Sequence, residues 1–369
     1  MNIKDERELL SKPGDTIVET LEHMRMSQAE LGKRMGKTPS KINDLVSGKE
    51  TITVATAVQL EKVLGINTQF WLNREASYRE KLLRLEQEEF LEQCVSWLDH
   101  QPVKELQQSG FIKSQKKDTA MVHEFLHFYG VDTPKQWESL YVQDYAETSF
   151  RKNNTYTTAL GSMAAWLRIG ELGMRNVDLP EYSKDKFKET LSALLSLVRQ
   201  HPEDFAGQLR DACRKAGVAI VYTPGLPKAP ISGATRWVGK NPLIQLTDRY
   251  KTNDQFWFTF FHEAGHILLH GKKEVFLENF EGYERDEEKE KEADEFSENW
   301  LLPKDFISDL PAGTITEKDV KRIARTYDTH PAIIIHRLQK QEIVPYHFGT
   351  DLKMRVVLSH YIYRGGLNM

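Results

Sequence analysis

The sequence predicts a mainly α protein with a small α+β part toward its C-terminal end. Three observations predict it. Helix-period apolar patterns with start and stop signals fill much of residues 13–94. Three short apolar runs between Gly217 and Thr247 read as strands. A further apolar run then carries His262-Glu263-Ala264-Gly265-His266 into what reads as a buried helix. The expected division is 1–80 for an N-terminal helical bundle, 81–205 for a helical middle region, 206–310 for the α+β part and 311–369 for a terminal helical subdomain.

In the first region Ser27 and Glu30 stand at capping-box spacing, which starts a helix. Thr38 as cap, Pro39 at the first helical position and Gly48 as the stop delimit the next. Two short helices joined at Gly36-Lys37 form a helix-turn-helix, whose second member enters a DNA major groove. The stretch from Pro13-Gly14 through Ile52-Thr53 and Leu64-Gly65 to Phe70-Trp71-Leu72 resembles the HigA-like antitoxin branch of lambda-repressor-type DNA-binding domains. That resemblance implies Ser40, Lys41, Asn43, Asp44 and Ser47 on or near the base-reading face. It also implies Lys37 and Lys49 as flanking phosphate contacts and Gln28 as a backbone contact, positions that set affinity more than specificity. An acid such as Asp44 in the groove has to meet a cytosine amino group or a neighbouring lysine. Through residue 84 there are fourteen Lys+Arg against twelve Asp+Glu, a weak positive balance. The expectation is therefore a homodimer reading two half-sites of a double-stranded operator.

The middle region reads as helical. Glu75–Cys94 carries leucines at 82, 83, 85 and 91 between charges, and Pro102–Leu106 opens another element. Asp118–Tyr129 is a helix closed by Gly130. It contains a second H-E-x-x-H, His123-Glu124-Phe125-Leu126-His127, which we read as a chance match because no third-ligand helix accompanies it. The stretch from Ser149 to Glu171 reads as a helical packing face, and helices also fit Asp185–Arg199 and Pro202–Ala216.

Val218–Tyr222, Ser232–Val238 and Pro242–Thr247 are the strands, with Gly239-Lys240-Asn241 as a hairpin signal. On the helix that follows, His262 and His266 are one turn apart and share a face, so both imidazoles reach one ion. Glu263, beside the first histidine, is placed to take a proton from the attacking water. A two-histidine zinc site needs a third protein ligand. The acidic helix that ends at Pro303 supplies candidates: Glu292 is chosen because it adjoins Ala293 and lies one turn from Phe296, with Glu288 and Glu295 as alternatives.

Phe261 to His270, followed by Glu290-Lys291-Glu292-Ala293-Asp294-Glu295-Phe296 and Leu301-Leu302-Pro303, resembles the ImmA/IrrE metallopeptidases. The resemblance implies a zincin-like domain, His262, His266 and Glu292 as Zn2+ ligands and Glu263 as base. Ala264 and Ser297 depart from the family pattern, which more often has leucine and alanine there. His270 fits the pattern but reads better as a structural helix-end histidine than as a ligand. Arg249, Tyr250 and Tyr283 are candidate oxyanion stabilisers. Val320–Tyr327 and Pro331–Lys340 resemble a degenerate second helix-turn-helix, near which His330, His336 and His347 lie.

Composition bounds the reading. A net charge of −4 confines DNA binding to one face, and two cysteines, Cys94 and Cys213, do not make a disulfide framework. No apolar run reaches membrane length and the first residues are too polar for a signal peptide, so a cytoplasmic protein is expected. The leading expectation is a transcriptional regulator carrying a zinc endopeptidase that cuts itself, a partner repressor or a toxin-antitoxin protein. The alternatives are an antitoxin-like repressor whose peptidase fold senses a ligand without turnover, and a peptidase whose N-terminal bundle docks partners.

Overall fold

The computed structural model describes residues 3–143, 158–175, 177–247, 249, 251–271, 276–277 and 286–363. The chain divides into two compact units, Met1–Val95 and Ser96–Met369. Among the described residues no helix is long and apolar enough to cross a membrane.

The first unit is all helix: α1 (Ile3–Glu8), α2 (Pro13–His23), α3 (Gln28–Met35), α4 (Pro39–Val46), α5 (Val54–Leu64) and α6 (Thr68–Gln93). The expected boundary at residue 80 lies inside α6. Ile17, Leu21, Leu31, Met35, Ile42, Leu45, Leu60 and Trp71 form the core. Ser27 and Thr38 cap α3 and α4 by accepting from the amides of Glu30 and Lys41 at 3.1 and 3.4 Å. Gly36 closes α3 in the left-handed region at φ 64°, where a side chain is strained. A Cβ on Gly14 would lie 1.8 Å from the Val46 carbonyl oxygen, so only glycine lets α2 cross the end of α4 this closely.

After a 3-10 helix at Val95–His100, the second unit continues with α7 (Val103–Gln108), α8 (Thr119–Tyr129) and α9 (Pro134–Glu138), which runs into a π-helical turn at Ser139–Gln143. Trp97, Phe125, Tyr129 and Trp137 pack edge to face or tilted, with ring centroids 5.5–6.3 Å apart. Then come α10 (Thr158–Arg175), α11 (Lys184–Gln200), α12 (Phe205–Lys215), β1 (Ala219–Thr223), β2 (Gly233–Val238), β3 (Asn241–Thr247) and α13 (Asn253–Leu269). The two-residue β4 (Phe276–Leu277), α14 (Glu287–Leu301), α15 (Glu317–Thr326) and α16 (Pro331–Lys340) complete the order.

The sheet has the order β1-β3-β2-β4, with β1 parallel to β3 and the other pairs antiparallel. Alternation of side chains across the pleat gives each face its own helix layer. Ala219, Val221 and Leu243 face Met174 of α10. Ile220, Tyr222, Ile244 and Leu246 join the main core with α12, α13 and α16. On the α10 side the buried Gln245 amide donates to the Trp166 carbonyl, and the Arg236 guanidinium donates to the Leu167 carbonyl and to Gln245. The fold is thus mainly α with one small mixed sheet, as the sequence predicts. The three expected strands form within a residue or two of their predicted ends, whereas β4 carries no sequence signal we recognised.

Candidate metal centre and nucleic-acid interface

α13 is buried along nearly its whole length, because the run Phe256-Trp257-Phe258-Thr259-Phe260-Phe261 leaves it no solvent face. His262, Glu263 and His266 are 3%, 1% and 2% exposed. Against it lies α14, whose buried positions Ala293, Ser297 and Leu301 recur every fourth residue. The two helices approach closely: a Cβ on Gly265 would lie 3.3 Å from the Ala293 Cα. The Ser297 hydroxyl donates to the Phe258 carbonyl at 2.9 Å, a tie between helices that an alanine here would lack.

The Nε2 atoms of His262 and His266 lie 3.0 Å apart, and the Glu290 carboxylate is 3.4 Å from the first and 3.6 Å from the second. Among the described residues these three form the one group able to hold a metal ion. The spacing suits zinc: bonds of about 2.0–2.1 Å in a tetrahedron put neighbouring donor atoms about 3.3 Å apart. The donor chemistry suits it as well. Burial first, then His262, His270 and Lys289, push the His266 imidazole down to about 2, so it stays neutral with a lone pair to offer. The Asp294 carboxylate lies 2.8 Å from Nδ1 of His262, and accepting that N–H leaves Nε2 of His262 as the donor toward the metal. Burial works against the charge of Asp294, but the His262 hydrogen bond and Lys340 hold it below the usual carboxylate range.

The carboxylate that the helix brings to the two imidazoles is that of Glu290, not of Glu292, the third ligand expected from the sequence. Residues 290, 293, 294 and 297 lie at i, i+3, i+4 and i+7 and share the face against α13. Glu292 points roughly 200° away from Glu290 around the helix, is 55% exposed at its side chain, and contacts His270 instead at 3.0 Å. The choice rested on Phe296 as an inward marker, but Phe296 is only half-buried, on the rim beside Trp300. The signal that finds Glu290 is its four-residue spacing to Asp294, the carboxylate that orients His262.

Glu263 lies under the start of β2. A Cβ on Gly233 would meet its Oε1 at 2.6 Å, and the Thr235 hydroxyl donates to the Glu263 carbonyl at 3.0 Å. Farther toward the start of α13, a cavity of about 520 Å³ opens between that helix, α16 and the C-terminal segment. Phe258, Thr259, His336, Lys340, Tyr346 and Lys353 are among its walls. His336 reaches this wall, His330 caps α16 by accepting from the Ala332 amide, and His347 is exposed. Arg249 is exposed, while Tyr250 and Tyr283 lie outside the described residues. His123 and His127 of the second H-E-x-x-H are exposed, and Glu124 is engaged by the amides of Lys113 and Ser114.

The family description "IrrE N-terminal-like domain" of the M78 peptidases matches residues 213–339, and "Helix-turn-helix" matches residues 17–71. This chain joins a helix-turn-helix domain to an IrrE-like peptidase-family domain. The IrrE-like domain takes in all four strands, α13, α14, α15 and nearly all of α16, and runs past the boundary expected at residue 310. Two curated relatives resemble the other end. An uncharacterized HTH-type transcriptional regulator, YddM, of Escherichia coli (strain K12) is 37% identical over 62 residues. Virulence-associated protein I of Dichelobacter nodosus is 35% identical over 71 residues. Each match takes in 66% of the relative's length but only 17% and 19% of this chain.

Within the helix-turn-helix domain, Ile42 and Leu45 turn α4 inward. Ser40, Lys41 and Asn43 are then exposed and Asp44 half-buried on its outer side. Gln28 and Lys49 are exposed and Lys37 half-buried. The Ser47 hydroxyl donates back to the Asp44 carbonyl at 3.2 Å.

Proposed function

We propose that the chain is a DNA-binding transcriptional regulator carrying a zinc-dependent endopeptidase that cuts a regulatory protein or itself. The observation that carries this reading is the convergence of His262, His266 and Glu290 with Glu263 as the next residue on the same buried helix. Zinc, when bound, supplies Lewis acidity that polarises a peptide carbonyl and acidifies water. The two imidazoles and the Glu290 carboxylate hold the ion, and Asp294 fixes the ring of His262. Glu263 takes the proton of the attacking water and passes it to the leaving nitrogen. The Thr259 side of the cavity, where Thr259 and Glu263 both lie against Gly233, receives a side chain of the substrate. The edge of the sheet offers backbone groups for an extended peptide to pair with. α4 reads the operator through Ser40, Lys41, Asn43, Asp44 and Ser47, with Gln28, Lys37 and Lys49 on the phosphates. A homodimer on two half-sites offsets the weak positive charge of a single copy.

The test compares wild type, Glu263→Gln and His262→Ala, measuring zinc content and the cleavage of proteins encoded beside this chain. The reading expects about one zinc per chain in wild type and Glu263→Gln, none in His262→Ala, and cleavage by wild type alone. Zinc without cleavage in any mixture, including the chain itself, favours the ligand-sensing alternative and overturns the endopeptidase.

A further inference from the structure

Two imidazole ligands need their outer nitrogens protonated if Nε2 is to face the metal, and the structure meets that need in two different ways. His262 meets it directly through Asp294. Nδ1 of His266 lies 2.9 Å from Nδ1 of His270, a second imidazole rather than a carboxylate. His270 is the residue after α13, with its backbone extended at φ −109° and ψ 173°. It therefore leaves the helix, and its ring sits over the outer nitrogen of His266 rather than beside the ligand cluster. Nε2 of His270 lies 3.0 Å from Oε2 of Glu292, and the His270 side chain is only 3% exposed.

We propose that Glu292 and His270 form a relay that fixes the tautomer of His266 and aims its Nε2 at the metal. This rests on the metal-site reading above. One arrangement of protons satisfies both contacts and leaves the ligand nitrogen bare. His266 donates through Nδ1–H to Nδ1 of His270, and His270 donates through Nε2–H to the Glu292 carboxylate. The reverse arrangement puts the His270 proton on Nδ1 and that of His266 on Nε2, facing Nε2 of His262 at 3.0 Å and blocking the site. Nothing at the His266–His270 contact alone selects between them. Glu292 selects, because a carboxylate only accepts and so holds the His270 proton on Nε2. Glu292 and His270 are thus positioning residues, acting through His266 and touching neither metal nor substrate.

The test measures zinc affinity by chelator competition in Glu292→Ala, Glu292→Gln, His270→Phe and His270→Gln. It also reads the imidazole nitrogens of zinc-loaded wild type by long-range proton–nitrogen NMR. Outer partners of metal-bound histidines are worth roughly 10- to 100-fold in affinity. The relay predicts a loss of that order in Glu292→Ala and His270→Phe. It predicts substantial recovery in His270→Gln, whose side-chain oxygen can accept the His266 proton, only partial recovery in Glu292→Gln, whose amide donates as well as accepts, and a proton on Nδ1 of His266 in wild type. Glu292 is exposed, so its truncation keeps the fold even if His270→Phe does not. Affinity in Glu292→Ala within threefold of wild type, or metal-bound Nε2 on His270, overturns the relay. A wild-type chain that takes up no zinc overturns the metal-site reading itself.

Discussion

Gly233 shows how finely single residues set this site. Its missing Cβ is what lets the Glu263 carboxylate lie under β2, with Thr259 at 2.8 Å on the same side. Gly233→Ala pushes on Glu263, the proposed base, without touching a proposed ligand, and a displacement near 1 Å costs about 100-fold in rate. Peptidase turnover falls by that order while zinc content stays at wild type; parallel loss of both, read by metal analysis, contradicts this placement. A second residue links burial to pH. Burial, then His330, push His201 down to about 4, and its Nδ1 accepts the Trp257 indole N–H at 3.1 Å. The unfolded chain takes up this proton near its ordinary value of about 6.5, before the fold does, so stability is lost as pH falls from about 6.5 to 4. In urea melts the stability gap between wild type and His201→Gln narrows across that window; a gap constant with pH contradicts it. The sequence made Glu263, His262 and His266 legible because an i, i+4 pair on an apolar helix is a local pattern. It left Gly233 unmarked, since that glycine meets Glu263 only through the pairing of β2 across the sheet.

The pair α13 and α14 is the element on which the proposed metal centre depends. Ala293 and Gly265 let the backbones come together, Ser297 ties them, and Lys340 bridges Asp294 and Glu298 from α16 at 3.1 and 3.0 Å. Ala293→Leu inserts a side chain into this contact, where overpacking costs about 1–3 kcal/mol. A lowered melting temperature together with weakened zinc binding is expected, because Glu290 rides on the same face. Destabilisation with unchanged zinc affinity contradicts the coupling. The orientation of α14 was the part the sequence read least well. Six glutamates in Glu287–Glu298 offer several registers, and the half-buried Phe296 and Trp300 look from sequence like the inward stripe. Beyond its four-residue spacing to Asp294, it is the facing helix, with Gly265 opposite Ala293, that singles out Glu290.

At the scale of the whole molecule, the proposed function assigns separate chemistry to two units with separate cores. Lys41 belongs to the first and lies on the exposed side of α4. Lys41→Ala is expected to weaken operator binding at least tenfold in a gel-shift titration, and to leave zinc content and peptide cleavage unchanged; a loss of both contradicts independent units. Caps, stops and apolar periods made the helix-turn-helix readable almost element by element, since each is decided within four residues. The central helix α10 was read only as a packing face, and its role under β1 and β3 depends on contacts more than fifty residues away. The central claim is that the second unit holds one zinc on His262, His266 and Glu290. Anomalous scattering at the zinc edge from crystals of the zinc-loaded protein tests it most directly. The account predicts one peak about 2.0–2.2 Å from both Nε2 atoms and from a Glu290 oxygen. A peak coordinated by Glu292 or His270, or none between the two helices, contradicts it.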